Sequence, residues 1–159
     1  MLNFPVAGGT SGHFMGAVLA AVLLGPWNAC LILTIVLGIQ CLGFADGGLT
    51  ALGANVFNMG IVGGILGYYV FTICKKILPD RRSGFLASVA VASWLSIVMA
   101  SAACALDLAV SGTSPLKVVL PTMIGVHALI GVGEALITTT VVASVMTARK
   151  DLIWSPRRA

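Results

Sequence analysis

Two stretches of this chain, residues 56–74 and 85–106, each run for about 20 residues without an Asp, Glu, Lys or Arg. Coiled into a helix, such a stretch matches the roughly 30 Å hydrocarbon core of a bilayer. The constraint extends to the whole chain. Of 159 residues, 58% are hydrophobic and 9% are charged, where a soluble domain carries roughly 25% charged residues. Mean hydropathy is +1.06. Too few charged groups are present to cover a water-facing surface, so the chain reads as an all-α, polytopic transmembrane helix bundle. Residues 1–159 form one membrane domain.

Three further apolar segments bring the expected helices to about five. The first covers residues 14–24 and is short, with an N-cap expected back at Thr10 or Ser11. Gly25-Pro26 breaks it, and Trp27 opens the second, which runs to residue 45. The last lies between residues 118 and 145, longer than a bilayer requires, and is interrupted by His127 and Glu134. It is expected to tilt, or to break near Gly131 and Gly133. In the third segment, Gly60, Gly63, Gly64 and Gly67 make two overlapping GxxxG spacings. Small residues at that spacing let helix backbones pack closely where lipid supplies no hydrophobic drive.

The net charge of +4 would suggest a nucleic-acid partner in a soluble protein. Here the basic residues cluster at Lys75, Lys76, Arg81 and Arg82 between apolar runs, and at Arg149, Lys150, Arg157 and Arg158 near the end. That pattern follows the positive-inside rule and argues against nucleic acid. It makes the chain a multi-pass protein of the cell (inner) membrane, with the Lys75–Arg82 loop and the C-terminal tail cytoplasmic. His13, the Asp46-Gly47-Gly48 turn and the loop near Asp107 then share the outer face.

The polar groups inside or beside these runs are the candidates for chemistry. His13 stands where a helix is about to enter lipid, and an imidazole there is either a satisfied structural group or a ligand. His127 and Glu134, seven residues apart, fall on nearly one helical face, about 10 Å apart along the axis. A carboxylate deep in a span costs on the order of 3 kcal/mol, so Glu134 must face the bundle interior and find a hydrogen-bond donor. The pair reads as a polar clamp between helices or as part of an ion pathway. Asp46 and Asn55 flank a glycine-rich connection, and Asn58 follows within the apolar run.

Several chemistries have no support. No lysine follows a glycine, so the chain has no Walker A phosphate loop. His127 and Glu134 lack the HExxH spacing of a zinc protease, and no GxSxG is present. Cys30, Cys41, Cys74 and Cys104 are scattered through apolar runs without a CxxC pair and read as small buried hydrophobes. Nothing points to an enzyme.

Taken together, the motifs are specific. Gly8-Gly9-Thr10-Ser11-Gly12-His13, Leu24-Gly25-Pro26-Trp27, Asp46-Gly47-Gly48, Ala51-Leu52-Gly53-Ala54-Asn55 and Asn58-Met59-Gly60 follow in order, and a second block runs from Gly125 through His127 and Glu134 to Thr138. Both blocks resemble the CbiM/NikM family, the substrate-binding membrane components of energy-coupling-factor transporters for cobalt and nickel. The resemblance covers nearly the whole chain. It implies capture of Co²⁺ or Ni²⁺ as transported substrate, with no tightly bound cofactor. It also implies partners: a coupling transmembrane subunit, cytoplasmic ATPase subunits and a small accessory membrane subunit.

By the same resemblance His13 is a metal ligand; Asp46, Asn55, Asn58, His127 and Glu134 read, from their own places in the chain, as polar groups that support the site or the bundle core. The other family ligands are a free N-terminal amine, a backbone amide nitrogen and a histidine at position two. Four such nitrogens in a plane suit Ni²⁺. Leu2 stands where that histidine is expected, so the chain reads as the C-terminal portion of an N-terminally truncated family member. The competing reading is a degenerate, non-transporting membrane scaffold in which His13, His127 and Glu134 are interhelical contacts only.

Overall fold

The computed structural model describes residues 3–6, 10–44 and 47–154. Asp46 lies outside the described residues. A two-stranded antiparallel ribbon, β1 (Asn3–Val6) and β2 (Thr10–His13), pairs Asn3 with His13 and Val6 with Thr10. Five helices follow: α1 (Ala17–Leu24), α2 (Pro26–Phe44), α3 (Leu52–Ile77), α4 (Arg82–Val110) and α5 (Leu116–Ala148). A short 3-10 turn, Lys150–Leu152, closes the described chain.

Four of the five helices, α2 to α5, are long and apolar enough to cross a membrane. The exception is α1, whose 8 residues reach only about 12 Å. The expected extension of this helix back to Thr10 or Ser11 is therefore corrected. Thr10 to His13 bond instead to β1, and Gly16 adopts a left-handed φ of 67° as the N-cap residue. A backbone already satisfied by strand pairing and turned by such a glycine has no reason to continue the helix outward.

The polar and apolar residues are distributed as lipid requires. Leu31, Ile35, Ile39 and Leu42 on α2 and Leu129, Val132 and Leu136 on α5 face outward. Ser88, Ser93, Ser96 and Ser101 on α4, and His127, Glu134 and Thr138 on α5, are buried. In hydrocarbon, polar side chains gain by facing protein and large apolar ones lose nothing by facing out.

The glycines of α3 work inside the chain. A Cβ at Gly67 would lie 2.9 Å from Ser96 Cβ, one at Gly63 would lie 3.0 Å from Met15 Cε, and one at Gly60 would lie 3.1 Å from Cys30 Sγ. The GxxxG face thus seats α4, the segment before α1, and α2 in turn. Residues Val56–Leu66 of this helix take π-helical bonding, an uncommon geometry that often accompanies functional sites.

Of the two outcomes expected for α5, a tilt or a break near its glycines, the break does not occur. The helix runs unbroken for 33 residues, about 50 Å, and so must tilt to fit a bilayer. Gly131 and Gly133 serve close approach instead: a Cβ at Gly131 would sit 3.0 Å from Trp94 Cδ1, and one at Gly133 would sit 2.9 Å from the Phe14 ring.

Candidate functional site

The short α1 sets the depth of the site. Because α1 ends at Gly25-Pro26 and spans about 12 Å, the residues leading into it lie inside the bundle instead of at its rim. The partners on α5 agree. His127 and Glu134 lie about 16 Å and 27 Å from the start of a helix about 50 Å long, well away from either end. His13, expected at the mouth of a span, is half-buried and lines one cavity with His127.

Glu134 holds this entry segment. Its Oε2 accepts a hydrogen bond from the Met15 amide at 3.1 Å, and its Oε1 accepts one from the Gly16 amide at 2.8 Å. Thr138 Oγ1 donates to Oε1 at 3.4 Å from one turn further along α5. The side chain is 3% exposed. The donor expected for Glu134 is thus a pair of backbone amides 118 and 119 residues away in sequence. Sitting just ahead of the first turn of α1, the carboxyl group also occupies the positive end of that helix. Phe14 packs over Gly133, the neighbouring residue on α5.

His127 is buried at 6% exposure. Its Nδ1 lies 2.8 Å from the Met123 carbonyl oxygen. A carbonyl can only accept, so Nδ1 carries the proton and Nε2 keeps its lone pair. The Trp94 indole donates to the Ala128 carbonyl at 3.0 Å, which fixes α4 against α5 beside this ring.

Asn58, 4% exposed, donates from Nδ2 to Asp107 Oδ2 at 2.8 Å. That bond ties α3 to the far end of α4. Asn55 lies one turn earlier, and a Cβ at Gly47 would meet its Nδ2 at 2.7 Å. Gly47, with φ 86°, is thus a position where only the glycine of the Asp46-Gly47-Gly48 turn leaves room for that amide.

These groups converge. His13, Met15, Asn55, Asn58, Met59, Cys104 and His127 line one cavity of about 40 Å³, large enough for water molecules or a largely dehydrated ion. Sequence reading separated His13 from the His127–Glu134 pair. The fold joins them, because the segment from His13 to Gly16 touches both. Met15, Met59, Cys104 and Asp107 were missed as members of this site. Asp107 gave a signal, as an acidic residue just past an uncharged span. Among the described residues, no group of three or more His, Cys, Asp and Glu side chains is placed to hold a metal ion.

A bundle of four apolar spans that encloses imidazoles, amides and a carboxyl group defines a multi-pass membrane protein with a polar interior. Comparison with known proteins narrows that class. The chain superposes with a TM-score of 0.85 on the crystal structure of a transition metal transporter at 34% identity, over 94% of this chain and 70% of that one. It is 46% identical to a putative fused nickel transport protein of Archaeoglobus fulgidus over 96% of this chain. It is 36% identical to a cobalt transport protein of Sorangium cellulosum over 91% of this chain and 65% of that protein. The chain spans 50% of the length of the Archaeoglobus protein. Residues 1–152 match the family described as the cobalt uptake substrate-specific transmembrane region, and the chain belongs to that family.

Proposed function

We propose that this chain is the substrate-capture part of a cobalt or nickel uptake system, with His13 supplying an imidazole ligand to the transported ion. The observation that carries this reading is the placement of His13. It closes β2 at the cavity, and Glu134 fixes the backbone two and three residues further on through both carboxyl oxygens. A ligand on a segment held from the far side of the bundle is preorganised for binding. The names of the relatives, nickel transport and cobalt transport proteins, support the same substrates.

The remaining ligands come from N-terminal nitrogen donors of the full protein, as the family resemblance implies. Uptake runs with a coupling transmembrane subunit, cytoplasmic ATPases and a small accessory membrane subunit. The His13 side faces out, and the Lys75–Arg82 loop and the tail face the cytoplasm. Asp46, Asn55, Asn58 and His127 shape the surroundings of the ion. Radiolabelled nickel and cobalt accumulation in cells carrying His13→Ala tests the reading: loss of uptake is expected, and unchanged uptake contradicts it. Retention of membrane expression by that variant separates a lost ligand from a lost fold.

A further inference from the structure

Arg82, the first residue of α4, reaches across to α5. Its Nη2 donates to the Ala143 carbonyl at 3.2 Å and to Thr147 Oγ1 at 2.7 Å. These bonds hold an exposed guanidinium against the outward face of α5, at the end of a span. Its other N–H groups, on Nε and Nη1, meet no acceptor among the described residues, and no described carboxylate pairs with it. The positive end of α4 and the neighbouring Arg81 add to the field. So does Lys75, whose Nζ lies 5.6 Å from the centre of the Phe85 ring, one turn along α4. A fixed cation at the edge of hydrocarbon, with no counter-charge in the protein, calls for an anion from outside it.

From Arg82 an open groove of about 380 Å³ follows α5 past Thr147, Ser144 and Thr140 to Leu136. Eleven residues of helix make it about 16 Å long. Its hydroxyl protons are already spent on the helix itself. Thr140 donates to the Leu136 carbonyl at 2.8 Å, Ser144 to the Thr140 carbonyl at 2.9 Å, and Thr147 to the Ala143 carbonyl at 2.9 Å. Thr139 Oγ1 has no partner but is buried, so it offers no donor at the surface. A partner helix held by polar contacts uses hydroxyls across the interface. A shallow trough of small side chains with spent hydroxyls suits a hydrocarbon chain instead.

We propose that this groove seats one anionic phospholipid, with its phosphate on Arg82 and an acyl chain laid along α5 toward Leu136. The planar guanidinium matches phosphate oxygens through paired N–H groups, which a lysine ammonium cannot do. Basic pockets between membrane helices on the cytoplasmic side take anionic headgroups in this way, and the Lys75–Arg82 loop belongs to that side by the proposed topology. The lipid joins the start of α4 to the end of α5, the helix that carries His127 and Glu134. The proposal does not depend on the role of His13.

The test is native mass spectrometry of the purified full-length protein in detergent, titrated with phosphatidylglycerol or with phosphatidylcholine. Wild type is expected to hold one phosphatidylglycerol at least tenfold more tightly than phosphatidylcholine, and its unfolding midpoint should rise with the anionic lipid only. Arg82→Gln, its fold checked by size exclusion, should lose that tenfold preference. Should it not fold, Arg82→Lys, which keeps the charge without the planar fork, should still lose part of the preference. Ser144→Leu fills the trough and should weaken phosphatidylglycerol binding with Arg82 in place. Lys76→Gln removes a basic group at the same end of the bundle but outside the groove, and should change nothing. Equal affinity for the two lipids overturns the proposal, as do equal losses in Lys76→Gln and Arg82→Gln, the mark of a diffuse basic surface. A photo-crosslinker at position 144 that captures another polypeptide and no lipid in native membranes gives the groove to a partner helix and overturns it too.

Discussion

Glu134 Oε1 accepts a hydrogen bond from the Gly16 amide at 2.8 Å, joining the middle of the last helix to the turn that starts the first. The companion bond from Met15 to Oε2 makes this a two-point clamp on backbone. It fixes the path of the chain whatever side chains the segment carries.

The clamp makes Glu134→Gln a sharp test. The amide retains one acceptor oxygen but turns an NH2 group toward a second backbone N–H, so one bond is lost and two donors face each other. A loss of about 1–3 kcal/mol in stability is expected, with weaker metal binding because His13 is no longer held. Thermal unfolding in detergent and nickel titration should move together. A Glu134→Gln protein as stable as wild type, with unaltered metal affinity, would show that the clamp carries no weight.

Gly67 of α3 is packed so tightly that an added Cβ would fall 2.9 Å from Ser96 Cβ and 3.1 Å from Val18 Cγ2. Gly67→Val should force α3 away from α1 and α4 and cost about 1–3 kcal/mol. Gly38, whose Cβ would meet nothing within 4 Å, is the control, and Gly38→Ala should leave unfolding in detergent unchanged. Equal effects at both positions would refute the packing account.

The tail after α5 folds back on α1. Trp154 donates its backbone N–H to the Val22 carbonyl at 2.9 Å, and its ring meets Tyr68 edge-on with centroids 5.3 Å apart. A Cβ at Gly25 would strike that ring at 2.8 Å. Trp154→Ala should therefore destabilise the α1–α2 corner by about 3 kcal/mol and raise protease cleavage after residue 148. Wild-type protease resistance would argue against a docked tail.

Much of this fold is legible in the sequence because membrane helices must satisfy their own backbones and must be apolar for about 20 residues. The starts of α2 and α4 fall within a few residues of the expected positions for that reason. The shortness of α1 and its end at Gly25-Pro26 were legible, but its start was not. Its apolar run continues back to Phe14, and only the pairing of β1 with β2 and the distant Glu134 decide where helix gives way to turn. Whether α5 tilts or breaks near Gly131 and Gly133 stayed open in the sequence, which does not reveal the aromatic rings of Trp94 and Phe14 that lie against them. At the site, the polar residues stood out by their cost in lipid. The sulfur side chains of Met15, Met59 and Cys104 cost nothing there and gave no sign.

Asn58 and Asp107 form another long-range polar tie, at 2.8 Å. Asp107→Ala leaves the buried Asn58 amide without its acceptor and should lose about 1–2 kcal/mol, whereas Asp107→Asn retains an acceptor oxygen and should recover most of it. Unfolding midpoints of the two variants check the order. Equal losses would mean that charge at position 107, and not its hydrogen bond, stabilises the pair.

The central claim is that His13 ligates the transported ion. Its most direct test is a nickel titration of the purified full-length protein, wild type against His13→Ala, with the fold of each verified by size exclusion in detergent. The account predicts that the alanine variant remains folded and loses the tightest equivalent of Ni²⁺, weakening it by at least a hundredfold. A folded His13→Ala protein that binds this equivalent as wild type does would contradict it.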